Sequence, residues 1–371
     1  MPHPYGCWHL RRRRGREILE LREETYHEIA DIKDFSKGKL IIGMDPLRTE
    51  FIWETMYKRT FWGQNGGPVV FSGIAAIDVA LWDIKGKYFN VPCYQLLGGK
   101  VRDKLRTYAS QLQFGWGQVG VSEHLWAVTP ADYAHNVNLA LAEGFDAIKI
   151  DFFDRDEEGK PLNFLDTTGL LTPKQLKMVE SRMKAAREAA GDDVDIIMEN
   201  HSYPDALGAV QLAKLAEKYH IMAFEEPNTP TTQTVEYSSV PIANGERLYS
   251  RWQYAEYFKK NLLQLAQPDI GNCGGITEVK KISDMAHAYD VGIQVHCAGS
   301  PLTTNAALHL ECTLPNFLIH EHHQAALLEA NILTGTHDYQ PVNFTVPDLP
   351  GIGNEFLQEA IDRATLYKVI E

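Results

Sequence analysis

Cysteine is scarce in this 371-residue chain: there are five, at positions 7, 93, 273, 297 and 312, with no C-x-x-C pair. That excludes a zinc ribbon or a disulfide framework, and it points to free thiols in a reducing, cytoplasmic setting. Long apolar runs are also missing. None approaches the ~18 residues of a membrane span, so no membrane partner is expected. Positive charge is in deficit, with 36 Lys and Arg against 49 Asp and Glu, for a net charge of −13. A nucleic-acid partner is therefore not expected, although a local site can still take an acidic metabolite. The basic run Arg11 to Arg14 is followed by Gly15-Arg16-Glu17 and not by an apolar segment, so it reads as a solvated arm and not as a signal peptide. G-x-S-x-G, G-x-G-x-x-G and P-loop patterns are absent. HEHHQ (320–324) breaks H-E-x-x-H because its last position is Gln324.

What is present is a rhythm. PVVFSGIAAIDVALWDIKGKYF, from residue 68, has helical spacing with small residues for close packing, and Gly98-Gly99 ends that region. Short apolar strands then alternate with longer amphipathic helices. The strands are DAIKI (146–150), VDIIM (194–198), IMAF (221–224), VPIAN (240–244), LLQLAQ (262–267), VGIQV (291–295) and NFLI (316–319). A helix opens at Thr172-Pro173 and closes at Gly191; others run from Asp205 to about His220 and from Thr277 to about Tyr289. The polar residues Glu199, Glu225, Glu246, Asp269, His296 and Glu321 stand at successive strand ends, spaced 26, 21, 23, 27 and 25 apart. Repeated strand–helix units of that length imply a parallel sheet. Their number and steady period favour an α/β fold of the (β/α)8, TIM-like barrel type, in which functional groups sit at the carboxyl ends of the strands. An open sheet is the alternative.

Three carboxylates converging from consecutive strands, Glu199, Glu225 and Glu246, repel one another unless a cation lies among them. Oxygen ligands with no Cys or His suit Mg2+ or Mn2+. Asp269 and His296 end adjacent strands, within hydrogen-bond reach, and a carboxylate beside an imidazole makes a general base. Lys149 and Asp151 lie two apart on one strand and so face the same way, where Lys149 can neutralise a substrate carboxylate. For each of these residues taken singly, a helix cap or a surface ion pair is the plain alternative. His220, His287 and His309 read as surface or core histidines, and GNCGGIT (271–277) as a loop into a helix.

Taken in order, Lys149-Ile150-Asp151, Glu199-Asn200-His201, FEEP (224–227), NGER (244–247), QPD (267–269), His296 and Glu321 resemble the signature of the enolase superfamily, mandelate racemase subgroup. SGIAAIDVALWDIKGK, LLGGK and DLPGIG (348–353) resemble parts of that family's capping domain and C-terminal segment. Within the subgroup the likeness is nearest to acid-sugar dehydratases of the galactonate and mannonate type, which carry a His two residues after the first metal ligand, as His201 follows Glu199. GERLYSR (245–251) also resembles the galactonate dehydratase pattern.

The resemblance implies an α+β capping domain over residues 1–104, a barrel over 105–335, and a segment 336–371 returning to the cap. It implies one Mg2+ per subunit (Mn2+ being an alternative) on Glu199, Glu225 and Glu246, with His296 as base, Asp269 orienting it, Glu321 hydrogen-bonding the enediolate, and His201 as acid. It also implies substrate contacts from Lys149, Asp151, His201, Arg247, His296 and Glu321, a small acid-sugar substrate, and a homo-oligomer. Two alternatives stand beside the dehydratase. One is a racemase, epimerase or cycloisomerase, against which Asp151 occupies the place of those enzymes' second Lys. The other is a catalytically weak ligand-binding relative. The latter is motivated by residues 1–50, which lack the family's DDGxxGxGE-like turn and imply a shortened or atypical start.

Overall fold

The structure, a computed structural model, describes residues 40–362 apart from 42, 61–62, 65, 118–125, 229–236 and 324–341. The expectations for the atypical start, for the basic arm and for most of the short stretch Pro227 to Val240 lie outside the described residues.

Eight parallel strands form one continuous ladder in the order β7-β6-β5-β4-β3-β2-β1-β8. They are β1 (Lys104–Ala109), β2 (Ala147–Asp151), β3 (Asp195–Glu199), β4 (Ala223–Glu225), β5 (Ile242–Asn244), β6 (Leu265–Ala266), β7 (Gly292–Ile293) and β8 (His320–His322). The ladder curls on itself, because Ile293 of β7 pairs in parallel with Phe317, just before β8. This is the α/β barrel architecture expected from the strand rhythm. Strands such as AIKID are buried along their whole length, as they must be when helices cover one face and the barrel interior the other.

The helices carry their own stop signals. α1 (Thr49–Arg59) and α2 (Pro68–Phe89) form a layer outside the barrel, while α3 (Pro130–Ala142), α4 (Pro173–Ala190), α5 (Ala206–Lys218), α6 (Arg251–Lys259), α7 (Gly275–His287) and α8 (Pro301–Glu311) follow strands. Thr172 and Gln175 close a reciprocal capping box on α4, Pro173 takes its first turn, and Gly191 ends it at φ 75°. Asp205 caps α5 through Leu207 N–H at 3.1 Å. Among the described residues no helix is long and apolar enough to cross a membrane. Cys93, Cys273, Cys297 and Cys312 are buried free thiols.

Two differences from the expected strands matter. β1 has a mixed, charged sequence, KLRTYA, and escapes an apolar-run criterion; its inner positions are nonetheless buried. NFLI reads as the last strand, but the paired strand is HEH, one step later. β1 and β8 pair with each other, and β9 (Asn343–Thr345) adds antiparallel to the first half of β1, so partners distant in sequence bury what a sequence window leaves open.

The helical layer is tied to the barrel at the start of α7. Trp53 Nε1 donates to Gly274 O at 2.7 Å, and Trp82 Nε1 donates to Thr277 Oγ1 at 2.8 Å. Buried Asp78 accepts from Thr277 N–H at 2.9 Å and from Thr277 Oγ1 at 2.6 Å. Only glycine fits at 275, since a Cβ there would lie 2.4 Å from Asp78 Oδ2 and its φ is +84°. Past the end of α2, the backbone of Val91 to Cys93 pairs with Gly351.

Burial pushes the Asp78 carboxyl up to about 7, against the opposing hydrogen bonds from Thr277. Its folded-state value is therefore above its unfolded one, so the neutral form is favoured by folding. The associated stability is full below about pH 4 and is lost as pH rises through about 7. Asp78→Asn keeps one acceptor and one donor for Thr277 and cannot ionise. Its Tm should gain on wild type between pH 5 and 8, by an amount on the order of 2–4 kcal/mol in stability. Parallel Tm profiles for the two proteins would show that Asp78 does not titrate there.

Candidate active site

Strand register brings the expected residues together. Lys149 pairs with Ile197 across β2 and β3, Asp151 with Glu199, and Glu199 with Glu225. Asp269 and His296 pair in a parallel bridge just past β6 and β7. All the strands point the same way, so these side chains meet at one mouth.

At its floor lies Lys149, wholly buried. Its Nζ is 3.1 Å from Glu199 Oε2, 2.7 Å from Glu225 Oε1 and 2.8 Å from Glu321 Oε1. Burial works against the ammonium, but these carboxylates outweigh it and hold its pKa well above the ordinary value. One ammonium cannot neutralise three carboxylates. Burial, with Glu199 and Glu321 adding to it, pushes Glu225 up to about 8, despite the opposing pull of Lys149. The sequence reading assigns Lys149 to a substrate carboxylate; in the fold its partners are these three protein carboxylates.

Above the floor, Glu199, Glu225 and Glu246 each offer one oxygen, and these three oxygens lie within 4.8 Å of one another. Glu199 Oε1 and Glu225 Oε2 are buried and accept no hydrogen bond. Unsatisfied, converging carboxylate oxygens in a buried place are the donor set a hard divalent cation takes. The residues fit such an ion.

Two aspartate–histidine pairs flank the triad. His296 Nδ1 is 2.6 Å from Asp269 Oδ2, and its Nε2 is 2.9 Å from Glu246 Oε2. Asp269 is itself held by the N–H groups of Gly271 and Asn272. Burial opposes protonation of His296, but Glu246 and then Glu321 outweigh it and raise its pKa well above the usual range. The same contact with His296 holds Glu246 low against the opposing effect of burial. Across the mouth, His201 Nδ1 is 2.9 Å from Asp151 Oδ2, and His201 Nε2 is 3.2 Å from Glu199 Oε1. Burial again opposes the cation, yet Glu199 and Asp151 raise His201 to about 10.

Other expected residues take particular places. Asp151 gives Oδ2 to His201 and Oδ1 to Phe153 N–H, so it orients the imidazole and shapes the strand exit. Arg247 Nη2 bridges Glu226 Oε2 and Glu246 Oε1, each at 3.0 Å, and its Nη1 donates to His201 O. The HEHHQ histidine His320 serves the core, with Nδ1 2.6 Å from Glu311 Oε2. His309 is likewise buried, stacked on Tyr94.

Three polar residues escape the sequence reading. Gln111, just past β1, donates to Glu199 Oε2 at 2.5 Å. Gln113 donates in turn to Gln111 Oε1. The Asp154 carboxyl is buried without a hydrogen bond, and burial and then Asp151 push it up to about 8. Finding Gln111 and Gln113 requires recognising β1; Asp154 has no signal apart from following Asp151 by three.

Comparison with known proteins gives the family. The model of the enolase C-terminal domain-like family matches residues 132–360. The model of the mandelate racemase / muconate lactonizing enzyme N-terminal domain matches residues 24–98. The D-galactonate dehydratase of Ralstonia pickettii is 34% identical over 317 residues, covering 83% of this chain and 74% of that protein. The D-galactonate dehydratase of Pectobacterium atrosepticum is 32% identical, over 94% of this chain and 86% of its own. A crystal structure of an enolase superfamily member from Salmonella Typhimurium superposes with a TM-score of 0.86 at 44% identity, covering 92% of this chain and 87% of that one.

Lys149→Met would leave Glu199, Glu225 and Glu321 facing one another. In divalent-free buffer it should destabilise the protein by about 3–5 kcal/mol, read as a lower Tm. An unchanged Tm would show that Lys149 does not hold the cluster together.

Proposed function

The chain belongs to the mandelate racemase / muconate lactonizing enzyme family of the enolase superfamily, and on that premise we propose that it is an acid-sugar dehydratase. It removes water from an aldonate or aldarate to give a 2-keto-3-deoxy acid. The observation that carries this reading is the pair of Asp–His dyads on opposite sides of one carboxylate triad, which supplies both a base and an acid.

Glu199, Glu225 and Glu246 would hold one Mg2+. Bound there, the ion would draw charge from the substrate carboxylate and make the adjacent C–H acidic enough for an imidazole to take. Glu246 is the main group that keeps His296 protonated. With that charge offset by a cation held on Glu246, His296 Nε2 is free to accept the α-proton, while Asp269 on Nδ1 fixes the tautomer and balances the charge that forms. Lys149 supplies positive charge beneath the oxyanion that develops. Glu321, kept ionised against burial by Lys149 and by Cys297 N–H, holds that ammonium in place and does not donate to the oxyanion. His201 Nε2 gives a proton to the departing 3-hydroxyl, with Asp151 behind it. The C–H and C–O bonds break, water leaves, and the enol tautomerises to the ketone. Arg247 braces Glu246 and the His201 backbone at the rim, beside the substrate.

Against a racemase, the strand that would carry a second Lys base carries Asp151, whose oxygens are already engaged. The substrate is a small sugar acid, in keeping with the D-galactonate dehydratases among the relatives.

The direct test incubates the protein and Mg2+ with a panel of aldonic and aldaric acids and detects 2-keto acids with semicarbazide. At least one member should give product; none, from folded protein with bound Mg2+, sinks the dehydratase reading. On the active substrate, His296→Asn should abolish exchange of the C2 proton in deuterated water. His201→Asn should retain part of that exchange yet block elimination, and equal loss of both would remove its role as a separate acid.

A further inference from the structure

Gln111 and Gln113 are buried side-chain amides that the acid–base chemistry leaves unused. Gln111 is held at φ 65°, ψ 44°, a left-handed conformation that glutamine rarely adopts. The turn Leu112–Phe114 behind it is pinned by Asn136 Nδ2, donating to Leu112 O at 2.8 Å, and by Ala127 N–H, donating to Gln113 O at 2.8 Å. Strain kept in place by surrounding contacts, next to a functional carboxylate, calls for a reason.

One fixed donor orients both amides. A backbone N–H can only donate, and that of Asp151 reaches Gln113 Oε1 at 3.2 Å. Gln113 Nε2 is therefore the end turned to Gln111, and it donates to Gln111 Oε1. That leaves Gln111 Nε2 facing Glu199, where it donates to Oε2 at 2.5 Å. The polarity of the chain thus follows from the β2 backbone and not from a free choice of amide rotamer. Glu199 Oε2 is occupied by this donor and by Lys149, which leaves Oε1, buried without a hydrogen bond and 3.2 Å from His201 Nε2, as the oxygen open to the triad.

We infer that Gln111 is a positioning residue that holds Glu199 with one oxygen directed into the triad, and that Gln113 sets the direction of the Gln111 amide. This inference rests on the reading of the triad as a divalent-cation site. Residues of this kind, which orient a ligand without touching the ion, tune its affinity.

Mn2+ binding to metal-free protein, followed by electron paramagnetic resonance, tests it without reference to turnover. Gln113→Glu is nearly isosteric and still accepts from Asp151 N–H, but a carboxylate cannot donate to Gln111 Oε1. The Gln111 amide then turns its N–H groups toward position 113 and its oxygen toward Glu199. Mn2+ should bind about ten- to a hundredfold more weakly. Simple charge attraction predicts the opposite sign, because the variant adds an anion near the site. Gln111→Gly removes the donor and relaxes the left-handed backbone, so it should lose affinity to a similar extent while its metal-free Tm does not fall. Unchanged Mn2+ affinity in both variants overturns the inference. Loss in Gln113→Glu alone also overturns it, since Gln111 would then not be the donor that matters. Failure of the wild-type protein to bind Mn2+ would instead overturn the cation reading, and this inference with it.

Discussion

The Lys149 ammonium among Glu199, Glu225 and Glu321 is the contact on which the rest of the mouth depends. Like charges about 4 Å apart repel by about 4 kcal/mol even at an effective dielectric near 20, so a carboxylate cluster in a buried place collapses outward or takes up protons without a counter-charge. Lys149 supplies one positive charge from the strand beneath. The excess negative charge that remains is visible in Glu225, whose carboxyl is driven up to about 8. A cluster neutralised only in part by its own chain is suited to a cation brought from outside.

The barrel makes this arrangement affordable in structural terms. Glu199 and Glu225 end short strands whose preceding residues, Ile196 to Met198 and Ala223-Phe224, are apolar and fully buried, so the polar cost is confined to one end of the core. Strand pairing fixes the spacing: Glu199 lies beside Glu225 and Asp151 beside Glu199 by register alone. Loops then set the angles. His201 and Ser202 both have positive φ, so the chain leaves β3 in a tight turn that swings the His201 ring back over Glu199. The helical layer of α1 and α2 acts on the same end of the barrel through α7, where Trp53, Asp78 and Trp82 converge on the residues that follow the Asp269 loop.

Much of this is legible in the residues themselves. The capping box at Thr172, the Asp205 cap and the apolar runs of β2 and β3 are local signals, set by backbone hydrogen bonds and by period, and the structure has them where the chain implies. The even spacing of Glu199, Glu225, Glu246, Asp269, His296 and Glu321 is equally legible, because the length of a strand–helix unit is a property of the chain. β1 is not: KLRTYA has no apolar run, and its burial comes from β8, β2 and β9. Gln111 is lost with it.

The sequence by itself determined which groups stand at the strand ends and the family they belong to, because period and residue type are local properties. Only the tertiary structure decided their partners. Asp151 faces His201 and not open solvent, Lys149 faces three protein carboxylates, and Arg247 bridges Glu226 and Glu246. Those pairings join residues separated by up to 172 positions along the chain, as Lys149 and Glu321 are, and they arise from sheet register and closure of the barrel. No window of sequence contains the two sides of such a contact, and electrostatics in a buried site is set by the partner that the fold delivers.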